Sequence, residues 1–161
     1  MQQIYRPLNP ILTAQGFLSV PLSLPSPLQE IVSRREWQKL DKVLSQLCSR
    51  DGELFKKLKC YHHFDSIEHI IAIRSAPKDE DGIWHDDGSR YMAFSLSLNI
   101  NPLHICGGNL LLRKKGCPEV TTIAPPKFGT LLIFLTGQYG FEHKVEQVTE
   151  GERIVAAGWC S

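Results

Sequence analysis

The chain has 161 residues, of which 42% are hydrophobic and 22% charged, and this composition predicts one soluble domain with a buried core. Eighteen basic and seventeen acidic side chains leave a formal net charge of +1, which argues against nucleic acid as a partner. Five scattered cysteines include no Cys-x-x-Cys pair, which excludes a disulfide framework and a zinc-ribbon spacing. Residues 1–7 lack the basic start of a secretion signal, and no apolar run reaches the length of a membrane span. We therefore expect a cytoplasmic protein with reduced thiols and no membrane segment.

The first third of the chain predicts mainly helices. Residues 16–21 come first and have the pattern of a short strand. Across residues 27–59, apolar side chains recur at steps of three and four, which is typical of helices with one buried face. Gly52 is expected to divide this stretch into a longer and a shorter helix. Ser26 is predicted to cap the first helix, with Pro27 at its first helical position.

The rest of the chain predicts β-strands. Residues 94–100 show this most clearly, because apolar and polar side chains alternate as in a strand with one buried face. Turn-forming residues separate eight candidate strands, at residues 69–74, 83–87, 91–100, 109–113, 119–123, 130–135, 141–147 and 153–159. Eight short strands without β-α-β alternation predict a sandwich or a double-sheet jelly roll. We expect one domain over residues 1–161, in which residues 1–60 supply a strand and supporting helices and residues 61–161 form the jelly-roll core.

A histidine and an aspartate two positions apart, His85 and Asp87, lie in one candidate strand. Strand alternation places both side chains on one face, where they can bind the same metal ion, while Asp86 points away. His143 lies in a later candidate strand and supplies a second imidazole. Two imidazoles and one carboxylate that leave three coordination positions open suit non-haem iron(II) and oxygen chemistry. A His-x-Asp pair alone is more often structural or solvated, so this hypothesis depends on its context.

Arg153 supplies part of that context. It follows His143 by ten positions and begins an apolar candidate strand over residues 153–159. A buried cation is costly without an anionic partner, and a guanidinium can bind a carboxylate through two hydrogen bonds. Arg153 is therefore predicted to anchor the distal carboxylate of a dicarboxylic acid.

A longer set of segments agrees with this pattern in order and spacing: His85-Asp-Asp87, Phe94-Ser-Leu-Ser-Leu-Asn99, Gly107-Gly-Asn-Leu-Leu-Leu, residues 123–134, His143-Lys-Val and residues 151–159. With these segments, residues 69–159 resemble the prolyl-4-hydroxylase-like branch of the 2-oxoglutarate/iron(II) oxygenases. The resemblance implies a double-stranded β-helix in which His85, Asp87 and His143 bind iron(II) and Arg153 binds the far carboxylate of 2-oxoglutarate. It also implies O2 as a substrate and ascorbate as a supporting reductant.

The implied reaction is hydroxylation of an unactivated C–H bond with release of succinate and CO2. A prolyl residue in a protein or peptide is the first substrate that the resemblance suggests, and a small molecule is the competing one. The chain departs from the animal oxygen-sensing relatives at three positions that contact the cosubstrate there, since Arg74 and Ser97 replace tyrosines and Ala157 replaces a threonine. Arg74 is predicted to give a second cationic contact to the cosubstrate, with a salt-bridged arginine at the barrel rim as the alternative.

Two further features are interpreted as structural. The basic triplet Arg113-Lys114-Lys115 is short and follows apolar residues, so it is expected to form a solvated face. Trp84 and Trp159 lie in candidate strands, which favours a role in core packing over a substrate-stacking surface.

Three alternative functions remain open at this point. A cupin-like metalloenzyme would share the jelly roll but would use no 2-oxoglutarate, and the predicted burial of Arg153 argues against it. A non-catalytic metal- or ligand-binding module would keep the site as a scaffold. Nucleic-acid demethylases of the same superfamily carry a second arginine six positions after the first, where this chain has Trp159.

Overall fold

The computed structural model describes residues 8–161. The expectation that residues 1–7 are not the start of a secretion signal concerns residues outside this range. The helices are α1 (Pro10–Gln15), α2 (Leu28–Ser33), α3 (Trp37–Cys48) and α4 (Glu53–Lys59), with two short 3-10 turns at Pro102–His104 and Gly137–Tyr139. The strands are β1 (Phe17–Pro21), β2 (Ile67–Ser75), β3 (Met92–Ser97), β4 (Cys106–Gly107), β5 (Leu110–Lys114), β6 (Thr121–Ile123), β7 (Thr130–Leu135), β8 (Phe141–Val145), β9 (Val148–Glu150) and β10 (Glu152–Cys160). The prediction of a mainly β fold with N-terminal helices is confirmed. Between residues 8 and 161, no helix has both the length and the apolar character that a bilayer span needs.

The strands form two main antiparallel sheets and one short pair. The larger sheet has five strands in the order β1-β7-β3-β10-β2, and the smaller one has three in the order β6-β5-β8. Strands β4 and β9 pair with each other. The longest pairing joins β10 to β2 over nine residue pairs, from Glu152 opposite Ser75 to Cys160 opposite Ile67. This pairing sets which side chains of the two strands lie next to each other on the inner face of the larger sheet.

Strand β3 is buried on both of its faces. All six residues of Met92–Ser97 are buried, although the sequence pattern predicts only one buried face. Met92, Phe94 and Leu96 belong to the apolar core that includes residues of α3 and α4, and a cavity is lined by Ala93, Ser95 and part of Phe94. Ser95 is covered because the larger sheet lies between the helices and the cavity, and Ser97 is covered near Pro126, to whose carbonyl it donates.

The helical region differs from the prediction in three places. Residues 27–36 hold a separate helix, because α2 ends at Ser33 and Arg35 has a φ of 56° before α3 begins. The predicted cap at Ser26 is wrong, since Pro27 is the N-cap residue and no side chain caps this helix. Helix α1 is additional. The sequence does contain the residues that begin and end this helix. The Asn9 side chain caps it by accepting hydrogen bonds from two backbone amides, and Gly16 ends it with a φ of 83°.

The core gives a direct test of this packing. Leu96 of β3 is fully buried, and replacing it with alanine is expected to lower the free energy of unfolding by about 3 kcal/mol, through lost apolar burial and a residual cavity. Leu103 is 96% exposed, so Leu103→Ala is the matched control and should change stability by less than about 0.5 kcal/mol. Urea denaturation followed by circular dichroism measures both. Equal stability of the two variants would contradict the described core.

Candidate active site

A cavity of about 580 Å³ lies between the larger and the smaller sheet. Its walls include residues of β10, β2, β3 and β7 on one side and residues of β5 and β8 on the other. The loop between β2 and β3 contributes a further wall through residues 79–83. All five predicted site residues line this cavity: His85, Asp87, His143, Arg74 and Arg153.

The segment that carries His85 is not a strand, although residues 83–87 are predicted as one. Within residues 83–87 it pairs with β8 at one bridge, where His85 N donates to His143 O at 3.0 Å and His143 N donates to His85 O at 2.9 Å. Just before this segment, Gly82 N donates to Val145 O at 2.9 Å. Asp87 then has a φ of 59° and Gly88 a φ of 63°, so the chain turns away after one pair. The single bridge is enough to place both imidazoles on the cavity side.

The three side chains converge on one point. Asp87 Oδ1 lies 3.4 Å from His85 Nε2, and Asp87 Oδ2 lies 3.4 Å from His143 Nε2. One ligand atom from each residue lies within 4.8 Å of the other two, which is close enough for all three to bind one ion. Asp86 faces away from them and binds Lys115, as the alternation argument predicts.

The protonation chemistry of these groups fits a divalent metal. The Asp87 side chain is 6% exposed, and its Oδ2 has no hydrogen-bond partner within residues 8–161. Burial lowers the pKa of His143 to about 4, so its imidazole is neutral near pH 7 and can offer a lone pair. His85 Nδ1 lies 2.7 Å from Ile83 O and donates to it, which leaves Nε2 free as a ligand atom. A cation between the carboxylate and the two rings would satisfy this arrangement.

The two histidines differ in how their rings are held. The His143 ring packs edge-on against Phe134, with ring centroids 4.6 Å apart, and is buried. Its Nδ1 finds no hydrogen-bond partner in the part of the chain that the structure describes. The His85 side chain is exposed, so its orientation depends on the bond to Ile83 and on the backbone on either side of His85.

Arg153 lies deep in the same cavity. It is 5% exposed, and its Nε has no hydrogen-bond partner among the described residues. Burial and, less strongly, the nearby Arg74 lower the pKa of Arg153 to about 10, while Asp79 raises it. The side chain therefore stays protonated at neutral pH and presents an unsatisfied guanidinium to the cavity. The predicted burial of this arginine is observed.

Arg74 stands opposite Arg153 in the β2–β10 register and also lines the cavity. Its Nη1 donates to Val145 O at 3.0 Å and to Glu146 O at 3.2 Å, and it lies 3.7 Å from the carboxylate of Asp79. Arg74 is thus already bound to protein groups, in contrast to Arg153. Arg74 therefore forms a salt bridge at the cavity wall, and its contact with the cosubstrate stays a prediction.

The family comparison uses the same part of the chain. Residues 57–161, more than half of the sequence, match the model of the 2OG-Fe(II) oxygenase superfamily, where 2OG denotes 2-oxoglutarate. The chain belongs to this superfamily. The prediction from the sequence motifs is confirmed at this level, and the oxygenase uses iron(II) and 2-oxoglutarate as a member of the family. A search of curated proteins found no match.

Solved structures share the fold of this oxygenase at low sequence identity. A prolyl-4-hydroxylase from Pseudomonas putida is 20% identical with a TM-score of 0.66, and the match covers 92% of this chain and 89% of that one. A prolyl hydroxylase from Trichoplax adhaerens, solved with a hypoxia inducible factor peptide, is 18% identical with a TM-score of 0.66 and coverage of 92% and 84%. HygX from Streptomyces hygroscopicus, solved with nickel and 2-oxoglutarate, is 15% identical with a TM-score of 0.59 and coverage of 93% and 84%. The predicted double-stranded β-helix, or jelly roll, is confirmed.

The oxygenase site contains one group that the sequence analysis missed. Asp79 lies in a stretch interpreted as a turn, yet its carboxylate accepts a hydrogen bond from Val148 N at 2.7 Å and faces Arg74. The acidic run at residues 79–81, placed between β2 and the His-x-Asp segment, is the signal that could have identified it. Ser97, which replaces a family tyrosine, is buried and donates to Pro126 O at 2.7 Å. Ala157 lines the cavity without offering a polar group.

Proposed function

We propose that His85, Asp87 and His143 hold the iron(II) of this oxygenase and that Arg153 binds the far carboxylate of 2-oxoglutarate. The observation that carries the proposal is the buried Asp87 carboxylate, with an unpaired oxygen and an imidazole nitrogen 3.4 Å from each of its two oxygens. Arg153 adds an unsatisfied cation in the same cavity. A metal ion and a dicarboxylate would together satisfy both charges.

Each protein group has a defined role in this proposal. Neutral His143 and the Asp87 carboxylate supply buried ligand atoms, while the more exposed His85 completes the set. Arg153 orients 2-oxoglutarate by its tail, and the apolar walls of β5 and β7 limit access of water. Iron(II) when bound supplies the oxidation, which couples conversion of 2-oxoglutarate and O2 to succinate and CO2 with hydroxylation of a C–H bond. Arg74 is proposed as a weaker, second cationic contact for the cosubstrate.

For the substrate, we propose a prolyl residue in a protein or peptide. Two similar folds are prolyl hydroxylases by name, and one of them was solved with a peptide. The cavity is lined in part by Ile83, which is 81% exposed, and by the partly buried Trp159. An apolar rim of this kind suits a pyrrolidine ring and its flanking residues. A small molecule with an unactivated C–H bond is the alternative that the assay below distinguishes.

The proposed reaction predicts turnover by the isolated protein. With iron(II), ascorbate and 2-oxoglutarate, it should form succinate, and proline-containing peptides should raise the rate and gain the mass of one oxygen atom. Matched peptides with alanine in place of proline are the control. Metal-loaded protein that consumes no 2-oxoglutarate with any peptide or metabolite would favour the non-catalytic binding module instead. Oxygen transfer to a metabolite, without peptide hydroxylation, would assign a small-molecule substrate.

We also propose that the oxygenase acts in the cytoplasm, as one domain over residues 1–161, and on a partner other than nucleic acid. The described cysteines are all free, and burial raises the pKa of Cys48 to about 11, which suits a structural thiol in a reducing compartment. The near-zero net charge and Trp159 at the position of the second demethylase arginine support the absence of nucleic acid.

A further inference from the structure

Few backbone bonds hold the segment that carries His85 and Asp87. It meets β8 through the reciprocal pair between His85 and His143 and, three residues earlier, through Gly82 N, which donates to Val145 O at 2.9 Å. The left-handed conformation of Asp87, with φ of 59°, costs free energy even for aspartate, which tolerates it better than most residues do, and it persists when surrounding contacts hold it. Side-chain contacts from neighbouring elements therefore help to determine where the two ligands lie.

The first contact is made by Trp84, the residue before His85. The guanidinium carbon of Arg113, on β5, lies 3.8 Å from the centroid of the Trp84 ring. Arg113 Nε also donates to Glu142 Oε1 at 2.7 Å, and Lys144 Nζ lies 5.7 Å from the same ring. These cations alternate along β5 and β8 with the residues that face the cavity. The indole is thus held on the outer face of the smaller sheet.

The second contact is made by Asp86, which lies between the two proposed ligands. Its carboxylate binds Lys115, in the turn after β5, and its Oδ1 accepts from Gly88 N at 2.9 Å. Its carbonyl accepts from Gly137 N at 2.8 Å. Trp84 and Asp86 therefore fasten the segment on both sides of His85.

We propose that Arg113 and Lys115 are positioning residues for the metal centre, acting through Trp84 and Asp86. The inference rests on the proposed ligand set of His85, Asp87 and His143. It revises the interpretation of the basic triplet as a solvated face, because Arg113 is half-buried and both it and Lys115 contact the ligand segment. Their neighbour Lys114 differs, since it is exposed and its nearest aromatic ring is Phe141, 5.7 Å away.

The triplet supplies its own control for a binding experiment. The full-length protein is titrated with Mn(II) in the absence of 2-oxoglutarate, and free Mn(II) is measured by electron paramagnetic resonance. Arg113→Met and Lys115→Met are each expected to weaken Mn(II) binding by about tenfold, since groups that orient metal ligands affect affinity to this degree. Lys114→Met should bind as the wild type does. Lys115→Arg keeps the charge and should retain most of the affinity.

The outcomes separate positioning from general stability. A purely structural role would lower the melting temperature of the metal-free variants while the folded protein kept its Mn(II) affinity, and this result would overturn the inference. Equal affinities for Lys114→Met and Lys115→Met would also overturn it. Lys115 is about half exposed, so its variant remains informative if Arg113→Met does not fold. Failure of the wild type to bind Mn(II) would instead overturn the ligand assignment on which the inference rests.

Discussion

Asp87→Asn is expected to abolish Mn(II) binding and succinate formation while leaving the metal-free fold intact. The amide keeps nearly the same shape, and asparagine tolerates the left-handed conformation that Asp87 adopts, with φ of 59°. It lacks the negative charge that a divalent ion requires between the two imidazoles. Because the change removes a buried charge without a hydrogen bond at Oδ2, the free energy of unfolding of the apo protein should rise by about 1 kcal/mol.

Three measurements check this prediction: Mn(II) titration, coupled detection of succinate, and thermal melting without metal. Asp51→Asn, at an exposed turn between α3 and α4, is the matched control and should behave as the wild type in all three. Mn(II) affinity in Asp87→Asn equal to that of the wild type would remove Asp87 from the ligand set. Loss of binding together with a much lower melting temperature would show that Asp87 serves the fold.

The sequence predicted the convergence of His85, Asp87 and His143 for a reason that holds only in part. Alternation placed His85 and Asp87 on one face, but the structure has one bridging pair there instead of a strand. The prediction of a shared face succeeds because that one pair already orients both imidazoles towards the cavity. Local pattern could not reveal the positive φ of Asp87, which depends on contacts made by residues far along the chain.

The surroundings of the site were harder to predict for the same reason. Burial of Arg153 could be inferred from the apolar residues that follow it in β10. The partner of Trp84 could not, because Arg113 is distant in sequence and reaches it across β8. Asp79 lies in a loop with no periodic pattern, and its bond to Val148 depends on how β9 is placed. Strand periodicity predicts faces, whereas contacts between loops and faces require the tertiary structure.

Arg153→Met is expected to separate cosubstrate binding from stability. Arg153 is 5% exposed, and its Nε has no hydrogen-bond partner among the described residues. While no 2-oxoglutarate is bound, burial of this guanidinium therefore lowers the stability of the folded protein. Methionine fills much of the same volume without charge. The free energy of unfolding of the variant should rise by about 1 kcal/mol. The Kd and KM for 2-oxoglutarate should rise by about 100-fold, equivalent to about 3 kcal/mol, because a charge-assisted interaction with the carboxylate is lost.

Arg74→Met provides the comparison, because the two arginines lie side by side on β2 and β10 but differ in their hydrogen bonds to the protein. Arg74 donates to the carbonyls of Val145 and Glu146, so its removal should lower the free energy of unfolding by about 1–2 kcal/mol. Its effect on 2-oxoglutarate affinity should stay below about tenfold, since Arg74 is already held by protein groups and by Asp79. The two variants should therefore shift stability in opposite directions, and calorimetric titration of Mn(II)-loaded protein with 2-oxoglutarate reads out their affinities. We expect Arg153 to be the dominant anchor, because its guanidinium is the one that protein groups do not already bind. A larger loss of affinity in Arg74→Met than in Arg153→Met would contradict this and exchange the roles of the two residues.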